Sequence, residues 1–122
     1  MGNQYYFKDK KLSIWEFTTV YVKGVPKKKY IAKYRKIWTY YRHNGGTAAL
    51  EGSAIKIYDE NASAIFVINK RPVESTYIIV YNHKIYEITR LDDYEGYNED
   101  LKILAKLAEN QNFSAYDGLQ DD

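Results

Sequence analysis

Short runs of apolar residues, many alternating with polar ones, set the character of this chain. Leu12-Ser13-Ile14-Trp15-Glu16-Phe17 is imperfectly two-periodic and predicts a strand, which Thr18-Thr19-Val20-Tyr21-Val22 prolongs because β-branched residues favour a pleated surface. Gly24 and Pro26 break the pattern, and Lys27-Lys28-Lys29 predicts an exposed basic loop. The stretch from Tyr30 to Arg42 is open between two periods. Tyr30, Ala32 and Tyr34 alternate, whereas Ile31, Tyr34 and Trp38 share a helical face; aromatic and β-branched density favours a strand at roughly 35–42.

Beyond the small-residue breaker His43-Asn44-Gly45-Gly46-Thr47, continued by Ala48-Ala49-Leu50-Glu51-Gly52, strands are predicted at Ile55-Lys56-Ile57-Tyr58 and Ala64-Ile65-Phe66-Val67-Ile68. Asp59-Glu60-Asn61 reads as a turn or bulge between them, and Asn69-Lys70-Arg71-Pro72 as a short basic link. A tight hairpin follows around Asn82-His83, with arms Tyr77-Ile78-Ile79-Val80-Tyr81 and Lys84-Ile85-Tyr86-Glu87-Ile88. Leu91 opens a second loop through Asn98. The segment 99–109 has helix-forming composition with acidic residues at its start, yet Leu101, Ile103, Ala105 and Leu107 also alternate as in a strand. Residues 1–10 read as a flexible amino-terminal arm and residues 110–122 as a disordered acidic tail. The expected architecture is all-β: one domain over residues 11–109, a small barrel or meander of about six strands with long loops.

Composition sharpens the picture in two ways. Tyr occurs 14 times and Cys never. Tyr pairs an apolar body with a polar tip, which suits half-buried sheet faces and protein interfaces. The lack of Cys excludes a disulfide framework, a thiolate metal site and a cysteine nucleophile. No apolar run approaches the roughly 20 residues of a membrane helix, and the start of the chain lacks the apolar core of a signal peptide, so an intracellular product without a membrane partner is expected.

The formal net charge is +2, unevenly spread. Residues 1–42 hold eleven Lys/Arg against Asp9 and Glu16, whereas residues 91–122 hold Lys102 and Lys106 against nine carboxylates. Such asymmetry points to a charged partner or to head-to-tail association of copies. Lys27, Lys28, Lys29, Lys33 and Arg35 form the candidate basic patch, facing a neighbouring subunit or another protein.

Catalytic chemistry finds little support. His43 and His83 have no second His at ligand spacing, so no metal site is expected, and no nucleophile–base–orienter set can be assembled around the serines. Asn44-Gly45-Gly46 lacks the Gly-Lys-Ser/Thr of a phosphate loop. Asp92-Asp93 with Glu95 does not fit an EF-hand and reads as a solvated turn. Interleaving of Lys27–Arg42 cations with Tyr30, Tyr34, Trp38, Tyr40 and Tyr41 keeps a small single-strand nucleic-acid binder open as an alternative. A small ribonuclease of toxin type, working through Arg35 or Tyr41, is a more distant one. The protein is expected to be no enzyme and to need no cofactor.

Taken in order, the pieces from about Lys11 to Leu107 resemble the head-closure (head–tail joining, or stopper) proteins of long-tailed bacteriophages. The resemblance rests on the early strand Leu12–Phe17, the aromatic-rich strand around Trp38, the Gly loop and the strand ending Ile65-Phe66-Val67-Ile68-Asn69-Lys70-Arg71. The hairpin arm His83-Lys84-Ile85-Tyr86-Glu87-Ile88, with Tyr86 and Ile88 as its core pair, completes it. The resemblance implies a small barrel and favours a strand at 101–107. It implies a structural virion protein, assembled in the bacterial host cytoplasm, that closes the DNA-filled head and offers the tail its docking surface. Its partners would be its own copies in a homo-oligomeric ring of six or twelve, a portal-bound adaptor on the head side, and a tail terminator on the tail side. Genomic DNA would pass through the channel without sequence specificity. Loop His43–Gly52 matches the family's channel-gating loop, and Gly45 and Gly46 would give it the backbone freedom to swing. Another connector ring protein, such as a tail terminator, is the neighbouring alternative.

Overall fold

The computed structural model describes residues 7–43, 63–92 and 99–121. Six strands make up the body: β1 (Lys10–Val22), β2 (Val25–His43), β3 (Ala64–Asn69), β4 (Ile78–Tyr81), β5 (Lys84–Asp92) and β6 (Asp100–Leu107). They close into an antiparallel barrel in the order β1-β2-β3-β6-β5-β4, with β4 returning to β1. Two three-strand meanders, β1–β3 and β4–β6, are thus joined edge to edge, β3 against β6 and β4 against β1. A simple meander would have set β3 beside β4. Closure removes the unpaired edges that such a sheet would leave.

Local sequence explains both tight turns. At Asn82-His83 and at Lys23-Gly24, φ is positive at both central residues, the signature of the two-residue turns whose twist matches flanking strands. The Lys23-Gly24 turn corrects the expected basic loop: Lys27, Lys28 and Lys29 lie inside β2, which starts at Val25 rather than near residue 35. Pro26 is tolerated there because it sits opposite Tyr21, one pair beyond the turn-flanking Val22–Val25. At that rung the ladder alternation aims the missing amide away from the partner strand.

The barrel interior is filled, not hollow. Leu12, Ile14, Phe66, Ile68, Ile79, Tyr81, Tyr86, Ile88, Leu101 and Ile103 pack there. Phe66 sits at the centre, with ring centroids of Tyr41, Tyr81 and Tyr86 at 5.4, 5.2 and 5.3 Å. Six strands enclose only enough space for side chains.

Segment 99–109 is a strand over Asp100–Leu107, its Leu101, Ile103 and Ala105 turned to the core, so tertiary packing overrides helix propensity. The carboxy-terminal segment departs from the expected disordered tail. Residues 110–121 fold back over the outer face of β1, β4 and β5, through a single 3₁₀ turn at Phe113–Ala115. Leu119 and Ala108 bury there with Trp15, Ile78, Val80 and Ile85, forming a second small core outside the barrel. This explains why all four residues of β4 are buried: one face looks into the barrel and the other lies under this segment. At the other terminus, Lys8 of the expected arm is tied to Asp100 at 2.9 Å. The strand expected at Ile55–Tyr58 lies outside the described residues.

Candidate functional site

Beyond the barrel wall, β1 and β2 continue together as a two-stranded ribbon. β1 pairs with β4 only through Ser13, Ile14 and Trp15, and β2 with β3 only from Tyr40 to His43. From Glu16–Ile31 to Val22–Val25 the two strands pair only with each other. Six steps at about 3.3 Å carry the tip roughly 20 Å past the wall.

Two irregularities at the root steer this ribbon. The register shifts between Leu12 and Ile14, and again between Ile14 and Trp15, so that β2 holds extra residues against β1. Lys36 takes a positive φ of 53° there, and its amide donates to the Ser13 Oγ at 3.1 Å. Bulges bend and twist a strand locally. As a result Tyr34 packs against the barrel core, while Ala32 and Tyr30 pack against the outer one.

Alternation then sorts the ribbon side chains. One face presents Phe17, Thr19, Tyr21, Pro26, Lys28 and Tyr30. It is partly closed: Phe17 meets Tyr30 edge-on at 5.8 Å, Tyr30 meets Tyr116 at 5.6 Å, and Lys28 Nζ lies 4.5 Å above the Phe17 ring. Burial, with help from Tyr116 and the Glu87 carboxylate, raises the Tyr30 phenol above its ordinary value. The other face is open: Val20, Val22 and Val25 lie beside Lys27 and Lys29 toward the tip, and Thr18, Ile31 and Glu16 toward the root. Val22, Val25 and Ile31 are 48%, 52% and 45% exposed.

The sequence-derived basic patch is therefore split. Lys27 and Lys29 share the open face and Lys28 the partly closed one, where Tyr21 stands exposed. Lys33 falls at the second register shift, 5.9 Å from the Tyr34 ring. Arg35 stands at the root, its guanidinium 5.5 Å above Trp15 and Nη2 donating to Gln120 Oε1 at 3.4 Å. Among the described residues, Lys23, Lys27, Lys28 and Lys29 form no ion pair. Of the expected gating loop, His43 ends β2 opposite Ala64, and Asn44 to Gly52 lie outside the described residues. Tyr86 and Ile88 occupy the barrel core as the hairpin pair. Burial and the adjacent Tyr41 hold the Tyr86 phenol well above its ordinary value.

A second basic–aromatic feature lies on the barrel wall, where Lys11 Nζ stands 4.5 Å above the exposed Trp38 ring. Beside it, Lys11, Leu12, Ser13 and Lys36 line a cleft of about 290 Å³. Among the described residues no group of three or more His, Cys, Asp or Glu is placed to hold a metal ion. His83 instead joins the β4–β5 turn to the carboxy-terminal segment, its Nδ1 2.9 Å from Asp121 Oδ2. The open apolar face of the ribbon was hidden from sequence reasoning, because Val20, Val22, Val25 and Ile31 look like ordinary strand residues. Only their placement outside the barrel makes them conspicuous.

The fold and this ribbon define a class: a small closed β-barrel with a projecting two-stranded arm. The overall fold is similar to that of a chain of a solved structure, the virion of native gene transfer agent (GTA) particle. The two superpose with a TM-score of 0.52 and 15% sequence identity, over 82% of this chain and 94% of that one. No family model and no curated protein sequence matches the chain.

Proposed function

We propose that this chain is a structural virion protein of phage-like particles. In finer detail, it forms a ring in the head–tail connector, below the portal and its adaptor. There it closes the filled head and presents the surface on which the tail docks. The observation that carries this reading is the barrel fold, common to this chain and to nearly the whole of a chain from the GTA virion. The packed barrel interior agrees with a subunit that lines a channel collectively. So does the uneven charge, basic in residues 1–42 and acidic in 91–122, because a ring needs one surface of a copy to meet a different surface of the next. On this reading the role is assembly and not catalysis, and the loop His43–Gly52 is proposed as the element facing the channel.

Removing the reading frame from the element that encodes it and imaging the lysate by electron microscopy tests the role. Filled or leaking heads beside complete free tails are expected. Normal tailed particles would remove the joining function. The second reading, a nucleic-acid binder, draws on the exposed Trp38 beneath Lys11. It expects the isolated monomer to bind single strands with steep salt dependence.

A further inference from the structure

We propose, building on the ring reading, that the β1–β2 ribbon is the arm that joins neighbouring copies: its Val22–Val25 tip seats against the Leu107–Glu109 corner of a second copy of this chain.

An isolated two-stranded ribbon is marginally stable in water, and this one holds Val22, Val25 and Ile31 in solvent on a single face. That face calls for a cover. Lys23, Lys27 and Lys29 surround the apolar tip and form no ion pair among the described residues, so the cover carries negative charge. Pro26 removes one outward backbone donor near the tip, which turns recognition toward the ribbon's face and away from strand addition along its edge.

The same chain supplies a matching surface. Within the described residues 99–121, Leu107 is the one large apolar side chain that stands exposed, at 45%. It closes β6, beside Lys106, whose Nζ lies 4.0 Å from Glu87 Oε1, and two residues before Glu109. Residues 108–121 contain no Lys or Arg and hold Glu109, Asp117 and Asp121, the last engaged by His83. Glu109 and Asp117 form no ion pair among the described residues. Within one copy, the ribbon root already touches the carboxy-terminal segment through Tyr30 and Asp117, and from there the tip runs away from the barrel. A tip that meets a corner of the next molecule is a heterologous contact, the kind that repeats around a ring. Duplex DNA would also attract the lysines, but it offers no apolar surface matching the Val22–Val25–Ile31 face outside a kinked base step.

The absence of Cys from the chain makes the contact directly testable. The variants Val22→Cys and Glu109→Cys are prepared separately, checked by circular dichroism and thermal melting, mixed at low ionic strength and oxidised. The expected result is a disulfide-linked pair that contains one of each variant. Adding Lys27→Glu and Lys29→Glu to the Val22→Cys chain should lower its yield on the order of tenfold. If light scattering shows wild-type rings but the mixed link is absent, or Val22→Cys chains link mainly to each other, the ribbon contact is overturned and the ring stands. A wild-type chain that stays monomeric, with no mixed link, removes the contact and counts against self-assembly. Retention of duplex DNA that is lost with Lys27→Glu and Lys29→Glu, without any mixed link, assigns the ribbon to DNA and overturns the contact.

Discussion

The amide of Tyr30 donates to the backbone carbonyl of Asp117 at 2.7 Å, which fastens the carboxy-terminal segment to the root of the ribbon. Around this bond the segment turns at Gly118, whose φ is +95°. It also approaches so closely that a Cβ there would fall inside the envelope of the Tyr30 carbonyl oxygen. The ribbon, the outer face of β4 and the last twelve described residues are thereby one mechanical unit.

Gly118→Ala should destabilise the fold, since a side chain in the left-handed region costs about 1–3 kcal/mol and the clash with Tyr30 adds to it. Gly24→Ala provides the contrast. Its φ is +82° but nothing lies within 4 Å of the added methyl, so only the conformational cost, about 1 kcal/mol, applies. Urea unfolding of both variants measures the difference; equal losses would show that the Tyr30–Gly118 approach carries no constraint.

Leu119→Ala removes the apolar side chain that covers Trp15, Val80 and Ile85. Deleting a buried Leu costs about 2–5 kcal/mol, and the exposed edge of this small core places the expected loss near the lower end. A chain ending at Glu109 should bind a hydrophobic dye and shift Trp fluorescence to longer wavelength, because the outer face of β4 loses its cover. Unchanged fluorescence would mean that Trp15 is shielded by something other than this segment.

Gln111 does the work of a missing strand. Its Oε1 accepts from the Ile85 amide at 2.8 Å, and its Nε2 donates to the carbonyls of Ile85 and Ala108 at 2.7 and 2.9 Å. Gln111→Ala removes the partners of the Ile85 amide and the Ala108 carbonyl, while the Ile85 carbonyl keeps the Ala108 amide at 2.9 Å, and should cost about 1–3 kcal/mol. Gln111→Glu keeps the acceptor but loses both donors, so it should rescue little. Hydrogen exchange at the Ile85 amide should accelerate in both variants.

Alkaline pH should weaken the barrel. Burial, then the neighbouring Tyr41, holds the Tyr86 phenol above the ordinary 10.0, and burial raises Tyr81 as well. A folded-state value above the unfolded one means that the fold prefers the neutral phenol. Its contribution is fully present below pH 10.0 and lost as pH rises through the folded-state values. Tyrosinate absorbance should therefore develop in two stages, exposed rings first and the core set together with unfolding. Tyr86→Phe should flatten the loss of stability above pH 10.0; an unchanged alkaline profile would place the titrating group elsewhere.

Much of the barrel is legible in local pattern. The Tyr77–Ile88 hairpin follows from β-branched and aromatic arms around Asn82-His83, and Ala64-Ile65-Phe66-Val67-Ile68 from its boundaries and composition. One signal was present and easily missed. Ile78-Ile79-Val80-Tyr81 is apolar at every position, and a half-solvated strand would alternate. That run already requires a cover on both faces, although it does not say which segment supplies the second.

By itself, then, the sequence determined the elements whose cause is local: the bounded apolar run of β3, the patterning of β5 and the start of β1, and a turn where Asn82 takes positive φ. It also determined the uneven charge and the absence of any cysteine chemistry. Tertiary structure decided what depends on distant partners. The 101–107 segment became a strand because β3 and β5 each offered it a ladder. Lys27–Lys29 became strand because β1 runs opposite. The polar, acidic end of the chain became a packed layer because Leu119 found Trp15 and Val80, and Gln111 found Ile85. The physical reason is that periodicity along a chain records whether each side chain is covered, whereas the identity of the cover is set by residues as far apart in sequence as Trp15 and Leu119.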